Sequence, residues 1–296
     1  MDPGSLFEFL EIPEMQRAFL VALLAGPACA LLGTFITLRG LSFFSDAIAH
    51  AAMTGVALGF LLDIADDVDA PAMQVLLVIF CLSLAVLMEW ARERTGLRSD
   101  TILALSFTGS IAFGVILISR LRGYRVLEGA LFGDILATTW ADVLLVACLS
   151  VTVFAVVVFN LRALALTTVN DSLARLEGMP VRRLNYLFVA LVALVVALLL
   201  RQVGAIVISG LIVIPAAAAR VIAPSFQAML RIVVAFGFFG ALCGLVASYH
   251  FDTPTGPTIV LADVLLFVGS LVAGTFLSRR AGARRRRAAA AGGGTP

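Results

Sequence analysis

The sequence predicts an all-α polytopic membrane protein, built as a bundle of about eight to nine transmembrane helices. Of its 296 residues, 61% are hydrophobic and 14% are charged, whereas a soluble domain carries about 25% charged residues. Apolar runs of about 20 residues, long enough to cross the hydrocarbon core of a bilayer, recur along the chain. The runs lie at about 16–38, 42–62, 71–91, 101–119, 140–159, 184–200, 204–222, 226–248 and 257–277.

The number and direction of the spans follow from proline and arginine placement. The seventh run carries Pro215, which could break its helix, so eight full spans are also possible. Placing the N-terminus outside and the C-terminus inside puts 16 of the 21 basic residues, all of them arginine, in inner loops and the tail. Cytoplasmic loops carry such an excess. We therefore predict an N-out, C-in topology.

The two ends of the chain differ from the bundle at 16–278. Residues 1–15 are acidic and lack the basic start of a signal peptide. Their apolar side chains predict an extracytoplasmic segment that lies in the membrane interface. Residues 279–296 are rich in Arg and then in Ala and Gly. They predict a disordered cytoplasmic tail that contacts anionic headgroups of membrane lipids.

Asp46 and His50 place a carboxylate and an imidazole inside the second run. On a helix they lie one turn apart on one face. Ionisable side chains at membrane depth are costly, which favours a polar pathway or a binding site. Carboxylate and imidazole together suit a divalent metal such as Zn²⁺ or Mn²⁺. Two ligands do not complete a metal site, so simple pairing of Asp46 with His50 in a packed bundle explains the pattern equally well, while a second copy of the chain would supply four ligands.

The longest inner loop, 161–183, contains a short predicted helix at about 170–179. Asn170 or Asp171 can cap its start, and Gly178 and Pro180 end it. This helix is either a docking element for a cytoplasmic partner or an ordinary surface helix between two spans.

Other polar positions are less specific. His250 and Asp252, in the last outer loop, could collect metal at an outer mouth, but a turn in which Asp252 caps the next segment explains them as well. Glu128 and Asp134 are ambiguous in the same way. The sequence has no phosphate-binding loop and no HExxH or GxSxG motif, so nothing indicates an enzyme. Apart from the tail arginines, nothing indicates nucleic-acid binding.

Four stretches in a fixed order carry a resemblance to a known family. They are 32–39 with 46–51, 128–133, 173–181, and 203–220 followed by 254–257. With them the chain resembles the permease subunits of bacterial metal-ion ABC importers of the zinc, manganese and iron type. The resemblance covers about 16–277.

The resemblance implies a homodimer in the inner membrane, with a pore on its two-fold axis and no permanently bound cofactor. Asp46 and His50 would face that pore and hold the transported divalent metal. A cytoplasmic ABC ATPase dimer and a periplasmic or lipoprotein metal-binding protein would be the other partners. The helix at about 170–179 would be the coupling helix, which contacts the ATPase through Asn170, Asp171, Leu173, Ala174, Glu177, Gly178 and Pro180.

Other functions remain open at this point. A secondary or proton-coupled transporter could use Asp46 and His50 as a proton relay, without an ATPase. An ABC permease for a chelated metal would need a wider pore. A membrane scaffold would leave the buried charges unexplained. A carboxylate and an imidazole bind Zn²⁺, Mn²⁺ and Fe²⁺ alike, so the ligand types do not identify the transported metal.

Overall fold

The computed structural model describes residues 12–64, 70–120 and 133–292. Within these ranges nine helices are long and apolar enough to cross a membrane. The predicted all-α polytopic fold is therefore confirmed, with the larger of the two predicted span counts. Residues 1–11, which make up most of the predicted interfacial segment, and Glu128 lie outside the described ranges.

The helix boundaries lie close to the ends of the predicted apolar runs. In chain order the helices are α1 (Pro13–Leu38), α2 (Phe44–Leu61), α3 (Pro71–Thr95), α4 (Ser99–Arg120), α5 (Trp140–Phe159), α6 (Leu161–Val169), α7 (Asp171–Leu176), α8 (Val181–Val203), α9 (Ala205–Ile222), α10 (Phe226–Phe251) and α11 (Thr255–Gly292). The short helices α6 and α7 do not span, the other nine are the candidate spans, and the apolar part of α11 ends at Phe276.

Helix α1 lies at the centre of the bundle, where it packs against α5, α9 and α10. Two of its glycines make this packing close. Gly26 lies against the backbone oxygen of Gly237 on α10, and Gly33 lies against the backbone oxygen of Ile212 on α9. Small residues allow helices in a membrane to approach to backbone contact. A side chain at either glycine would occupy the space that the neighbouring backbone fills.

Helix α2 is enclosed by α3, α4, α8 and α9. Its first residues, Phe44 and Ser45, are already buried, so the helix begins inside the bundle. Thr54 donates a hydrogen bond to the carbonyl oxygen of Ser110 on α4, at 2.7 Å. This arrangement holds the face of α2 that carries Asp46 and His50 beside α4 and α9.

Helix α9 is continuous through Pro215, so the seventh run is one complete span. Proline has no backbone N–H, and the carbonyl of Leu211 therefore loses its helical donor. After the proline, Ala216 and Ala219 pack in a small cluster with Ala30 of α1. The alanine-rich half of α9 thus packs closely against α1.

Two parts of the chain differ from expectation. The inner loop contains a second helix, α6, which was not predicted and whose Leu164 and Thr167 are buried. Helix α11 continues to Gly292, across a region for which the sequence predicted disorder. Alanine and arginine are both strong helix formers, and no proline or glycine cluster interrupts them before the helix ends.

Candidate functional site

Asp46 and His50 lie on one face of α2, as their spacing predicts. Nδ1 of His50 is 3.6 Å from Oδ1 of Asp46 and 3.0 Å from the backbone oxygen of Asp46. The side chain of Asp46 is 31% exposed and that of His50 is 21% exposed. A carbonyl oxygen only accepts hydrogen bonds, so a neutral His50 in this position carries its proton on Nδ1. Its Nε2 then keeps a free lone pair, which is the form that binds a metal.

Ser209 reaches the same carboxylate from α9. Its hydroxyl lies 3.0 Å from Oδ1 of Asp46 and 3.1 Å from the backbone oxygen of Ala205, so it donates its single proton to one of them at a time. This contact orients the carboxylate from a second helix. The sequence analysis missed Ser209, because a single serine in an apolar, glycine-containing run gives no signal of its partner.

A cavity of about 480 Å³ opens beside Asp46, between α2 and the first turns of α4. The ring of Phe107 on α4 covers His50, with ring centroids 5.0 Å apart. The cavity also brings a second carboxylate, that of Asp100, to the same space; the sequence analysis missed this residue as well. The lining residues are Phe43, Asp46, Asp100, Leu103, Ala104 and Phe107.

One copy of the chain offers too few ligands for a closed metal site. In the described part of the chain, no group of three or more His, Cys, Asp or Glu side chains lies close enough together to hold a metal ion. Zinc is normally bound by four ligands when its site is structural. Asp46 and His50 supply half of such a set, so a full set requires ligands from water or from another chain.

Helix α7 corresponds to the predicted short helix of the inner loop. The side-chain oxygen of Asn170 accepts the backbone N–H groups of Ser172 at 2.9 Å and Leu173 at 3.2 Å, which makes it the N-cap. Gly178, with φ of +75°, lies just after the helix end. Pro180 is the N-cap residue of α8. The predicted start and stop signals therefore act as expected at this helix.

The outward face of α7 is apolar in part. Ala174 is buried against the rest of the chain, whereas Leu173 is exposed and Leu176 is 85% exposed. Glu177 pairs with Arg162 of α6 at 3.6 Å, near the solvent. Leu173 and Leu176 therefore belong to the outward surface of α7, opposite the buried Ala174.

A wide basic cleft of about 900 Å³ lies beside α7. Five arginines and two acidic side chains line it, so its net charge is positive. These charged residues are Arg92, Arg94, Arg175, Arg182, Arg183, Glu93 and Asp171. The arginine distribution predicts that this end of the bundle faces the cytoplasm.

The outer-loop candidates take part in chain turns. His250 lies in the last turn of α10, and Asp252, with φ of +50°, is the C-cap residue of that helix; both side chains are exposed. Oδ1 of Asp134 accepts the backbone N–H groups of Leu136 and Ala137, so this carboxylate caps a turn.

Comparisons with known proteins agree with this architecture. The profile of the ABC 3 transport family matches residues 11–274. The high-affinity zinc uptake system membrane protein ZnuB of Haemophilus influenzae is 32% identical, over 90% of this chain and 98% of that protein. The manganese import system permease protein ScaB of Streptococcus gordonii is also 32% identical, over 86% of this chain and 90% of that protein. The solved structure of PsaBC from Streptococcus pneumoniae in complex with Fab matches with a TM-score of 0.77 and 29% identity, over 90% of this chain and 94% of that one.

Proposed function

The chain belongs to the ABC 3 transport family, and on this premise we propose that it moves a divalent transition-metal ion through a homodimer pore, driven by ATP. The resemblance to metal-importer permeases is confirmed by the family match. The chain is accordingly a multi-pass protein of the bacterial inner membrane and a transport component. Its relatives are named as a membrane protein of zinc uptake and a permease of manganese import.

The observation that carries the proposal is the shared face of Asp46 and His50 beside an open cavity. In a two-fold dimer, two copies of this pair supply four ligands, which one chain alone does not offer. Asp46 contributes negative charge, and Nε2 of His50 contributes a neutral nitrogen. Ser209 leaves Oδ2 of Asp46 free to bind the ion while it holds Oδ1. The site replaces some hydration water and binds weakly enough to release the ion again.

A separate cytoplasmic ATPase dimer supplies the energy, in this proposal, through α7 as the coupling helix. The predicted N-out, C-in topology would put α7 and the basic cleft at the cytoplasmic face. A periplasmic or lipoprotein metal-binding protein delivers the ion to the opposite face. The geometry supports this assignment because α7 presents exposed leucines to the solvent and lies beside the arginine-lined cleft.

The transported metal is Zn²⁺, Mn²⁺ or Fe²⁺, because a carboxylate and an imidazole serve all three. The named substrates of ZnuB and ScaB, zinc and manganese, belong to the same set. Competition among the three ions during uptake will identify the substrate of this chain.

The proposed function is tested by uptake into proteoliposomes that hold this chain with its ATPase, with the metal-binding protein on the outside. We expect uptake with ATP and none with a non-hydrolysable analogue. Uptake that needs only a proton gradient, and proceeds without the ATPase, would identify a secondary transporter and contradict the proposal.

Leu176→Asp should weaken binding of the ATPase by about tenfold or more. Burial of a leucine side chain contributes about 1.5 kcal/mol or more to binding, and this free energy is lost in the variant. Burial of an unpaired carboxylate costs still more. Co-purification and binding by surface plasmon resonance measure the change, with Leu176→Met as the apolar control. Equal affinity for both variants would show that α7 does not enter the ATPase surface at Leu176.

A further inference from the structure

Arg39, at the C-cap of α1, joins three helices through one side chain. Its Nε donates to Oγ1 of Thr168 at 3.1 Å, and its Nη2 donates to Oγ1 of Thr167 at 2.9 Å, both on α6. Its Nη1 donates to Oδ1 of Asn185 on α8 at 3.0 Å. The guanidinium also stacks over the ring of Phe188, with its central carbon 4.5 Å from the ring centroid.

The partners of Arg39 are unusual because all are neutral. In the described part of the chain, its half-buried guanidinium donates to two threonine hydroxyls and one amide oxygen, while Glu89 pairs with Arg92. Burial lowers the pKa of Arg39 to about 10, and the more distant Asp171 and Glu89 act in the opposite direction. The side chain therefore stays charged at neutral pH. Arginine presents its donors in a rigid planar fork of three nitrogens, whereas the three donors of lysine rotate on one nitrogen.

The location of Arg39 links the two functional parts of the chain. On one side, Thr167 and Thr168 belong to α6, which ends directly before Asn170, the cap of α7. On the other side, Arg39 begins the short turn into α2, the helix of Asp46. That turn is fixed by backbone hydrogen bonds from Leu41 to Ile36 at 2.9 Å and from Phe44 to Leu41 at 2.8 Å.

We propose that Arg39 is the positioning residue that transmits displacement of the coupling helix α7 to the metal site on α2. Movement of α7 carries α6 with it, and the threonines of α6 displace the guanidinium. The turn after Arg39 then shifts the first turn of α2, where Asp46 lies. This inference rests on the proposed function, because it assigns a route between two of its parts.

The test measures metal uptake and ATP hydrolysis on the same proteoliposomes, with the complete transporter. Arg39→Lys keeps the charge but not the three-way fork, and the pair Thr167→Val and Thr168→Val removes the acceptors on α6. Both changes should lower the number of ions moved per ATP by about tenfold, within the range of measured coupling energies. ATP hydrolysis should stay within about twofold of wild type, and the Thr168→Val single variant should give an intermediate loss of coupling.

Arg98→Lys is the matched control, because Arg98 is 88% exposed and pairs only loosely with Asp100 at 3.9 Å. It should keep the wild-type ratio of ions to ATP. A normal ratio in Arg39→Lys and in the double variant would overturn the proposal. So would a parallel loss of uptake and hydrolysis, since that pattern indicates a structural role. Failure of the wild-type transporter to take up metal with ATP would instead overturn the proposed function itself.

Discussion

Asp46→Ala should abolish ATP-driven metal uptake, lowering it by more than about 100-fold. Residues that only support a metal ligand already cost 10- to 100-fold when they are changed, so loss of a ligand should exceed that range. In the dimer each substitution acts twice, once in each copy. His50→Ala should have a similar effect, because it removes the neutral nitrogen donor of both copies. Metal uptake into proteoliposomes measures both variants.

Two further measurements make this result specific. Size-exclusion chromatography must show that each variant still assembles with the ATPase. Asp252→Asn is the matched control, because Asp252 is an exposed acidic residue. Its backbone is in the left-handed region, which asparagine also tolerates. Normal uptake by this control would also reject the outer-mouth hypothesis for Asp252. If Asp46→Ala and His50→Ala both transport at the wild-type rate, the pair is structural.

Gly33→Ala should destabilise the bundle by about 1–3 kcal/mol, which is the usual cost of overpacking. A methyl group at this position of α1 would overlap the backbone oxygen of Ile212. The methyl carbon would also lie only 2.7 Å from the carbonyl carbon of Ile212. Backbone cannot move aside as the end of a side chain can, so α1 and α9 would have to separate. Thermal unfolding in detergent should show the loss as a lower midpoint temperature.

The same change at Gly109 of α4 provides the control. Nothing lies within 4 Å of a methyl group built at Gly109, which is exposed. Gly109→Ala should therefore leave the midpoint unchanged or raise it slightly, because alanine favours the helix. Equal midpoints for both variants would show that α1 and α9 do not pack through Gly33.

The spans could be predicted because bilayer thickness imposes a length on each apolar run, independent of tertiary contacts. The capping of α7 could be predicted because Asn170 and Gly178 act on their own neighbours. Helix α6 is different: it has only nine residues, and Asn160 at its start gives no side-chain cap. Its stability comes from burial of Leu164 and Thr167 against other helices, which no local pattern reveals.

The candidate site divides in the same way. Asp46 and His50 are one helical turn apart, so their shared face follows from spacing alone. Ser209 lies 163 residues from Asp46 along the chain. The hydrogen-bond partners of Arg39 lie 128 to 146 residues away. Such contacts depend on how whole helices pack, and a single sequence does not contain that information in a readable form.

The proline in α9 makes that helix mechanically uneven. Since the carbonyl of Leu211 has no donor from Pro215, resistance to bending is lowest within this one turn. The half after the proline is clamped to α1 through Ala216 and Ala219. The half before it carries Ser209, which touches Asp46. A bend of α9 at this turn would therefore move Ser209 relative to α1, whereas Ile212, whose backbone oxygen lies against Gly33, and the residues after the proline would stay in place.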